Sequence, residues 1–191
     1  DPRKIEASQS YSYPFECITV SKWCEEWLKS EFNKDAKTIY NGIDIEQYKN
    51  QKRKFNGKIR ILIEGDSSSA HKNVDEAFMV TNKLDPNNYE VWYMSYNAKP
   101  KDWYRVDKFL HRVPYEEVQK VYYDCDILLK TSVFESFSYP PIEMMATGGY
   151  VVALLNDGNK EYLEDEKNCL IYPNGEIDKA IHCIERIVSD E

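Results

Sequence analysis

Two glutamates, Glu135 and Glu143, stand with seven residues between them in Phe134-Glu135-Ser136-Phe137-Ser138-Tyr139-Pro140-Pro141-Ile142-Glu143. The proline pair suits the first turn of a helix, where a missing N–H costs nothing. The remaining N–H groups of such a turn attract anions, phosphate above all. Glu135 precedes the turn, and Glu143 lies about two turns further on. Two carboxylates so placed can take hydroxyls on either side of a bound diphosphate, as in a sugar, diphosphate and ribose held in a line. Lys72 adds a cation. It sits in a Ser-rich loop after one strand and beside a helix start at Asn73. A Lys there can stabilise charge developing on a departing diphosphate.

These residues need elements to hold them. Lys58–Ile63, Tyr89–Met94, Asp126–Leu129, Tyr150–Leu155 and Cys169–Tyr172 read as strands, with a weaker one at Phe109–Val113. Helices are expected over Val74–Lys83, Tyr115–Tyr123, Pro141–Ala146 and Ile177–Val188, the last with Ile181, Ile184 and Val188 inward, and Lys160–Leu163 reads as a helical turn. Glu16–Val20 and Thr38–Tyr40 are short strands around a helix from Lys22 to Phe32, capped by Ser21, with a Trp23/Trp27/Leu28 stripe. Strands alternating with helices predict an α/β, Rossmann-like parallel sheet with helices on both faces. Ligands in such sheets sit at the carboxyl ends of strands, near a switch in strand order. The loops after Ile63, Val113 and Leu129 occupy such ends. Residues 1–15 read as a linker or N-terminal extension, and 16–191 as one domain.

Composition narrows the function. The 191 residues carry a formal charge of -8, which argues against a general nucleic-acid binder. The five cysteines are scattered without a CxxC pair and read as reduced thiols. Three separated histidines give no zinc spacing, no apolar run approaches a membrane span, and no signal peptide is visible. The simple dinucleotide fingerprint GxGxxG is missing. Asp126 reads as structural, and Asn41-Gly42-Ile43-Asp44 reads equally as a plain turn or a ligand-facing one. No Ser–His–Asp or Cys–His arrangement stands out.

From about Ile18 onward the ordered motifs resemble the C-terminal, donor-binding domain of GT-B glycosyltransferases of the retaining group 1 type (family four). The pieces are Thr19-Val20-Ser21-Lys22-Trp23, Tyr40-Asn41-Gly42-Ile43-Asp44, Lys72-Asn73, the run Asp126 to Glu135, Glu135 with Glu143, and Ala146-Thr147-Gly148-Gly149-Tyr150-Val151-Val152. The resemblance implies one half of a GT-B fold that holds a nucleotide-diphosphate sugar as substrate, with no cofactor and no metal. It implies that Glu135 bonds hydroxyls of the transferred sugar and Glu143 the ribose hydroxyls. Backbone amides of Ser136, Phe137, Ser138 and Tyr139 would hold sugar and phosphate. Lys72 would neutralise the leaving diphosphate, and Arg112-Val113 would meet the base. Transfer would retain anomeric configuration. The partners implied are the nucleotide-sugar donor and an N-terminal acceptor domain that this chain lacks, so little activity is expected of the chain alone. The setting implied is cytoplasmic polysaccharide synthesis, with a membrane-peripheral placement open for a longer protein.

Two departures stand out. The family often has an Arg after the Gly that ends the first donor-domain strand; here Gly65 is followed by Asp66. A second cation then has to come from Arg60, Arg112 or elsewhere. The usual Pro before Val-Val is Tyr150. The rival readings are a non-catalytic binding or scaffolding domain of the same fold, and a sugar-nucleotide epimerase or phosphorylase.

Overall fold

A computed structural model describes residues 8–189, so the linker expected over residues 1–15 lies partly outside the described residues. The chain forms two compact units that divide between Gly42 and Ile43. In the first, β1 (Cys17–Thr19) and β2 (Ala36–Thr38) pair in parallel around α1 (Lys22–Phe32). Strand β2 lies two residues earlier than the apolar Ile39-Tyr40 pair suggested, because its register is set by Cys17 facing Ala36 and Thr19 facing Thr38. Asn33 ends α1 in the left-handed conformation, φ 49°, with its N–H on the Lys29 carbonyl and the Lys34 N–H on that of Leu28. The expected tryptophan stripe is only partly core: Leu28 is buried, while Trp27 packs on Tyr11 and Phe32 and stays part-exposed.

The second unit is a six-stranded, all-parallel sheet. Its strands are β3 (Ile59–Glu64), β4 (Tyr89–Ser95), β5 (Lys108–His111), β6 (Ile127–Lys130), β7 (Tyr150–Ala153) and β8 (Leu170–Ile171). Their order is β5-β4-β3-β6-β7-β8. The chain runs outward from β3 to one edge, then returns to β6 and runs to the other edge. The switch point lies between β3 and β6, where a crevice opens at the carboxyl ends of an open α/β sheet.

Strand residues alternate between two cores, as a period of two requires. Ile61, Ile63, Tyr93, Ile127 and Leu129 face α2 (Val74–Thr81) and α5 (Ile177–Ser189). Leu62, Trp92, Leu128, Val151 and Ala153 face α3 (Tyr115–Asp124) and α4 (Tyr139–Ala146). Helices on both faces explain why these strands read as nearly continuous apolar runs. In α5 the buried positions are Ala180, Ile184 and Ile187, so the inward face is rotated from the expected Ile181/Ile184/Val188 set, and Ile181 and Val188 pack at its margin. Residues 157–162 form a turn with helix-like Lys160 N to Asn156 and Leu163 N to Asn159 carbonyl bonds, in line with the helical turn expected over 160–163; the Asn156 and Asn159 side chains hold its backbone further.

The segment leading to β3 is strapped to the α3/α4 face. Arg53, buried, donates to the carbonyls of Tyr122 and Tyr123 and to Thr147 Oγ1 at 2.6–2.8 Å. Gly148, at φ +83°, lets this strap pass: a Cβ there would stand 2.2 Å from the Gln51 carbonyl oxygen. The five cysteines are free thiols. Among the described residues no helix is long and apolar enough to cross a membrane, and no cluster of three or more His, Cys, Asp or Glu is placed to hold a metal ion.

Candidate functional site

Lys72 and Glu135 meet at the carboxyl ends of β3 and β6. Lys72 closes a 3-10 turn, Ala70–Lys72, in the loop after β3. Its Nζ donates to Glu135 Oε1 at 2.7 Å. Asn73 follows at φ 48°, a left-handed position that starts α2 and that Asn tolerates well. Its amide donates to Glu76 Oε2 at 2.7 Å. The residue after Lys72 therefore turns the chain sharply, which leaves Lys72 at the lip of the loop.

Glu135 sits in the loop after β6, and that loop is held on several sides. Val133 N donates to the His71 carbonyl at 2.9 Å. Asn156 Nδ2 donates to the Ser132 carbonyl at 2.8 Å. Tyr162 OH donates to the Ser138 carbonyl at 2.5 Å. Gly158 backs directly onto the Glu135 carbonyl. Burial alone would raise the Glu135 carboxyl's pKa, but Lys130 and Lys72 outweigh it and hold the group below its usual range.

Helix α4 opens at Tyr139, with Ser138 at φ 73° before it. Both prolines thus fall inside the first turn, which leaves fewer N–H groups there than the sequence suggested. The donors that remain are the Tyr139 amide and the amides of the loop before it, with the left-handed Ser138 setting their direction. Phe137 is buried, its ring near those of Tyr139 and Tyr162. The Ser138 hydroxyl is buried without a hydrogen-bond partner.

Glu143 lies one turn into α4, which opens at Tyr139, two residues before the Pro141 start expected from the sequence. It is 8% exposed and accepts from Tyr48 OH at 3.1 Å. Burial pushes its carboxyl up, hydrogen bonds from Tyr122 and Tyr48 oppose this, and Glu64 adds to the rise. Lys130 bridges Glu64 and Glu135, and Glu64 is near enough to Glu143 to raise its carboxyl.

Arg112 takes a left-handed backbone, φ 54°, and its Nε donates to the Tyr96 carbonyl at 3.2 Å. Val113 lines a cleft of about 150 Å³ with Glu64, Met94, Ser95 and Tyr96. Glu64 borders both this cleft and the charged cluster. A larger cavity, about 540 Å³, opens at the opposite ends of β7 and β8 beside Gly149, Tyr150 and Cys169 and holds no member of the cluster.

The structure also sorts the remaining candidates. Arg60 is at the amino end of β3, with its Nη1 on the Asp124 carbonyl, so it cannot supply the missing cation. Asp126 accepts from Arg60 N at that same end and is structural. Asp44 accepts from Glu46 N within its own turn. Asp66 closes a turn through Ser68 N and Oγ at 3.0 and 2.7 Å. The residue that sequence reasoning passed over is Lys130. It ends β6, is 1% exposed, and places Nζ 2.5 Å from Glu64 Oε2 and 3.6 Å from Glu135 Oε1.

Comparison with known proteins fits this geometry. Residues 105–191 match the family model described as "Glycosyl transferases group 1". The O-antigen chain mannosyltransferase RfbU of Salmonella typhimurium is 27% identical over 148 residues, 71% of this chain and 40% of that protein. Among solved structures, HepE of Anabaena in complex with UDP-glucose superposes with a TM-score of 0.80 at 18% identity, over 98% of this chain and 57% of that one. Sucrose-phosphate synthase of Thermosynechococcus elongatus gives 0.80 at 15% identity, over 100% and 53%. The chain spans two fifths of the curated relative and little more than half of these solved chains. The Rossmann-like sheet is therefore one half of a GT-B fold. Over residues 105–191, which hold Lys130, Glu135 and Glu143, the chain is thus similar to the group 1 glycosyl transferases.

Proposed function

We propose that this chain is the donor-binding half of a retaining, metal-independent glycosyltransferase. The observation that carries the reading is the Lys72–Glu135 pair, 2.7 Å apart at the switch point, with Glu64 between this pair's partner Lys130 and the electrostatic surroundings of Glu143. Glu135 holds hydroxyls of the sugar and Glu143 those of the ribose. The amides of Ser136, Phe137, Ser138 and Tyr139 face the phosphates. Arg112 and Val113 border the base, in the cleft beside Glu64. Lys72 turns to the diphosphate as the anomeric C–O bond breaks, so an ammonium takes the place of a divalent cation. Retention means that the acceptor oxygen arrives on the face that the diphosphate leaves. The solved relative holding UDP-glucose and the curated O-antigen chain mannosyltransferase support a nucleotide-activated hexose as donor and polysaccharide assembly as the setting. The acceptor half lies outside these residues.

The test is a melting-temperature and calorimetric titration of the chain with UDP-, GDP-, ADP- and TDP-sugars. A donor at a hundred times its Kd should stabilise the chain by about 2.7 kcal/mol. Lys72→Ala and Glu143→Ala should abolish most of that gain. No response to any donor would favour the rival non-catalytic domain, to which Asp66 in place of a cation lends support. Substantial turnover by this chain alone would overturn the half-enzyme reading.

A further inference from the structure

Glu64 is the last residue of β3 and Lys130 the last residue of β6. Their strands are neighbours at the switch point, with Ile63 facing Leu129 one residue earlier. Lys130 is the buried member of a four-residue cluster. Its Nζ lies 2.5 Å from Glu64 Oε2, 3.3 Å from the Glu64 carbonyl and 3.6 Å from Glu135 Oε1. That same Glu135 oxygen receives Lys72 Nζ at 2.7 Å. One carboxylate oxygen therefore faces two ammoniums. They differ in freedom: the Lys72 side chain is 24% exposed and that of Lys130 is 1% exposed. Lys72 can turn outward to an arriving diphosphate. Lys130 is enclosed on the α3/α4 face of the sheet.

A lysine ending the run Ile127-Leu128-Leu129 is not what packing alone would select. Burying an ion pair is often no better than an apolar pair of the same volume, whereas leaving one partner alone is costly. The arrangement makes sense if the charge is used. We propose that Lys130 is a positioning residue of the donor site, which keeps Glu135 ionised and aimed at the sugar after Lys72 has moved to the diphosphate. The inference rests on the donor-site reading above and adds a second cation to it. With two lysines and two glutamates the cluster is balanced before the donor arrives. When Lys72 turns to the diphosphate, Lys130 alone is shared by Glu64 and Glu135. The other titratable groups facing Glu135 are Tyr162 from the turn after β7 and, through Glu64, Glu143 on α4. Neither brings positive charge.

The experiment is calorimetric titration of the chain with a nucleoside diphosphate and its sugar conjugate, UDP against UDP-glucose and GDP against GDP-mannose, from pH 6 to 8. Lys130→Met should leave the nucleoside diphosphate within about twofold of wild type. It should weaken the sugar conjugate about tenfold, increasingly as pH falls and Glu135 protonates. Lys72→Met should weaken both ligands alike. Glu64→Leu/Lys130→Leu removes the pair without stranding a charge, and should show the same sugar-specific loss if the single variant does not fold. Equal loss of both ligands, or no loss, overturns the role of Lys130. Failure of both variants to fold would mark the pair as a structural staple and count against the proposal. A wild type that binds none of the four ligands instead overturns the donor-site reading itself.

Discussion

Gly158→Ala tests how the site is held without touching a charge. Gly158 has an unstrained φ, so alanine is acceptable to its own backbone. The obstacle is across the gap: an added Cβ would stand 2.3 Å from the Glu135 carbonyl oxygen and 2.6 Å from its carbonyl carbon. Ordinary contact begins at 3.4 Å, so one segment must retreat by about 1 Å. The atom met is backbone, with no flexible end to swing aside. The Glu135 loop is also held by Asn156, Tyr162 and His71 on either side of the contact. Misplacement by about 1 Å of a group that orients a substrate costs on the order of 100-fold, or about 2.7 kcal/mol. Overpacking should lower stability by about 1–3 kcal/mol. Calorimetry with the sugar nucleotide and urea denaturation would read the two effects. Wild-type affinity together with wild-type stability would refute the argument. Lost stability with intact affinity would show that the loop is not what places Glu135.

Four further outcomes are expected. Glu143 is pushed up by burial, so its ionisation above the folded value opposes folding; Glu143→Gln should raise the melting temperature of the ligand-free chain by about 2 °C at pH 7.5, with the gain fading below pH 4.5, while donor affinity falls. Glu135 shows the opposite sign: burial is outweighed by Lys130 and Lys72, so its stabilisation is present above the ordinary value of 4.5 and is lost as pH falls through the lowered one. Denaturation between pH 5 and 2 should thus be less acid-sensitive in Glu135→Gln than in wild type. Arg53→Met should cost about 3 kcal/mol in urea unfolding, since it strands the carbonyls of Tyr122 and Tyr123 and removes a donor from the Thr147 hydroxyl. Gly148→Ala combines a left-handed φ of +83° with a Cβ 2.2 Å from the Gln51 oxygen and should lower stability by at least about 2 kcal/mol.

The apolar runs Ile59–Ile63, Tyr89–Met94 and Ile127–Leu129 announced a sheet covered on both faces, because each strand is enclosed by helices above and below. The spacing of Glu135 and Glu143, and Lys72 beside Asn73, was legible for a related reason: those residues fall at strand ends, where loops carry chemistry. Lys130 was not. A lysine closing an apolar run reads as the point where the strand meets solvent. Its partner Glu64 is 66 positions away in sequence, and only strand order brings the two together. Tyr48 and Tyr122 were hidden likewise, since their meeting with Glu143 depends on the strap and on α3. Periodicity placed α5 correctly and its face slightly wrong: Ile181 and Val188 are as apolar as Ile187, and tertiary packing chose among them.

The turn at 156–162 supports the Glu135 loop from behind through the backbone carbonyls of Ser132, Glu135 and Ser138 and through the Tyr162 ring beside Phe137. The reach of the acid is therefore governed by residues that never meet the guest. Swaps at Asn156, Asn159 or Tyr162 would shift the carboxylate by fractions of an ångström while its charge and its lysine neighbours stay the same. Under the function proposed above, selectivity among epimeric hexoses, which differ by the direction of a single hydroxyl, is then open to retuning from this remote buttress with Lys72, Glu135 and Glu143 unchanged.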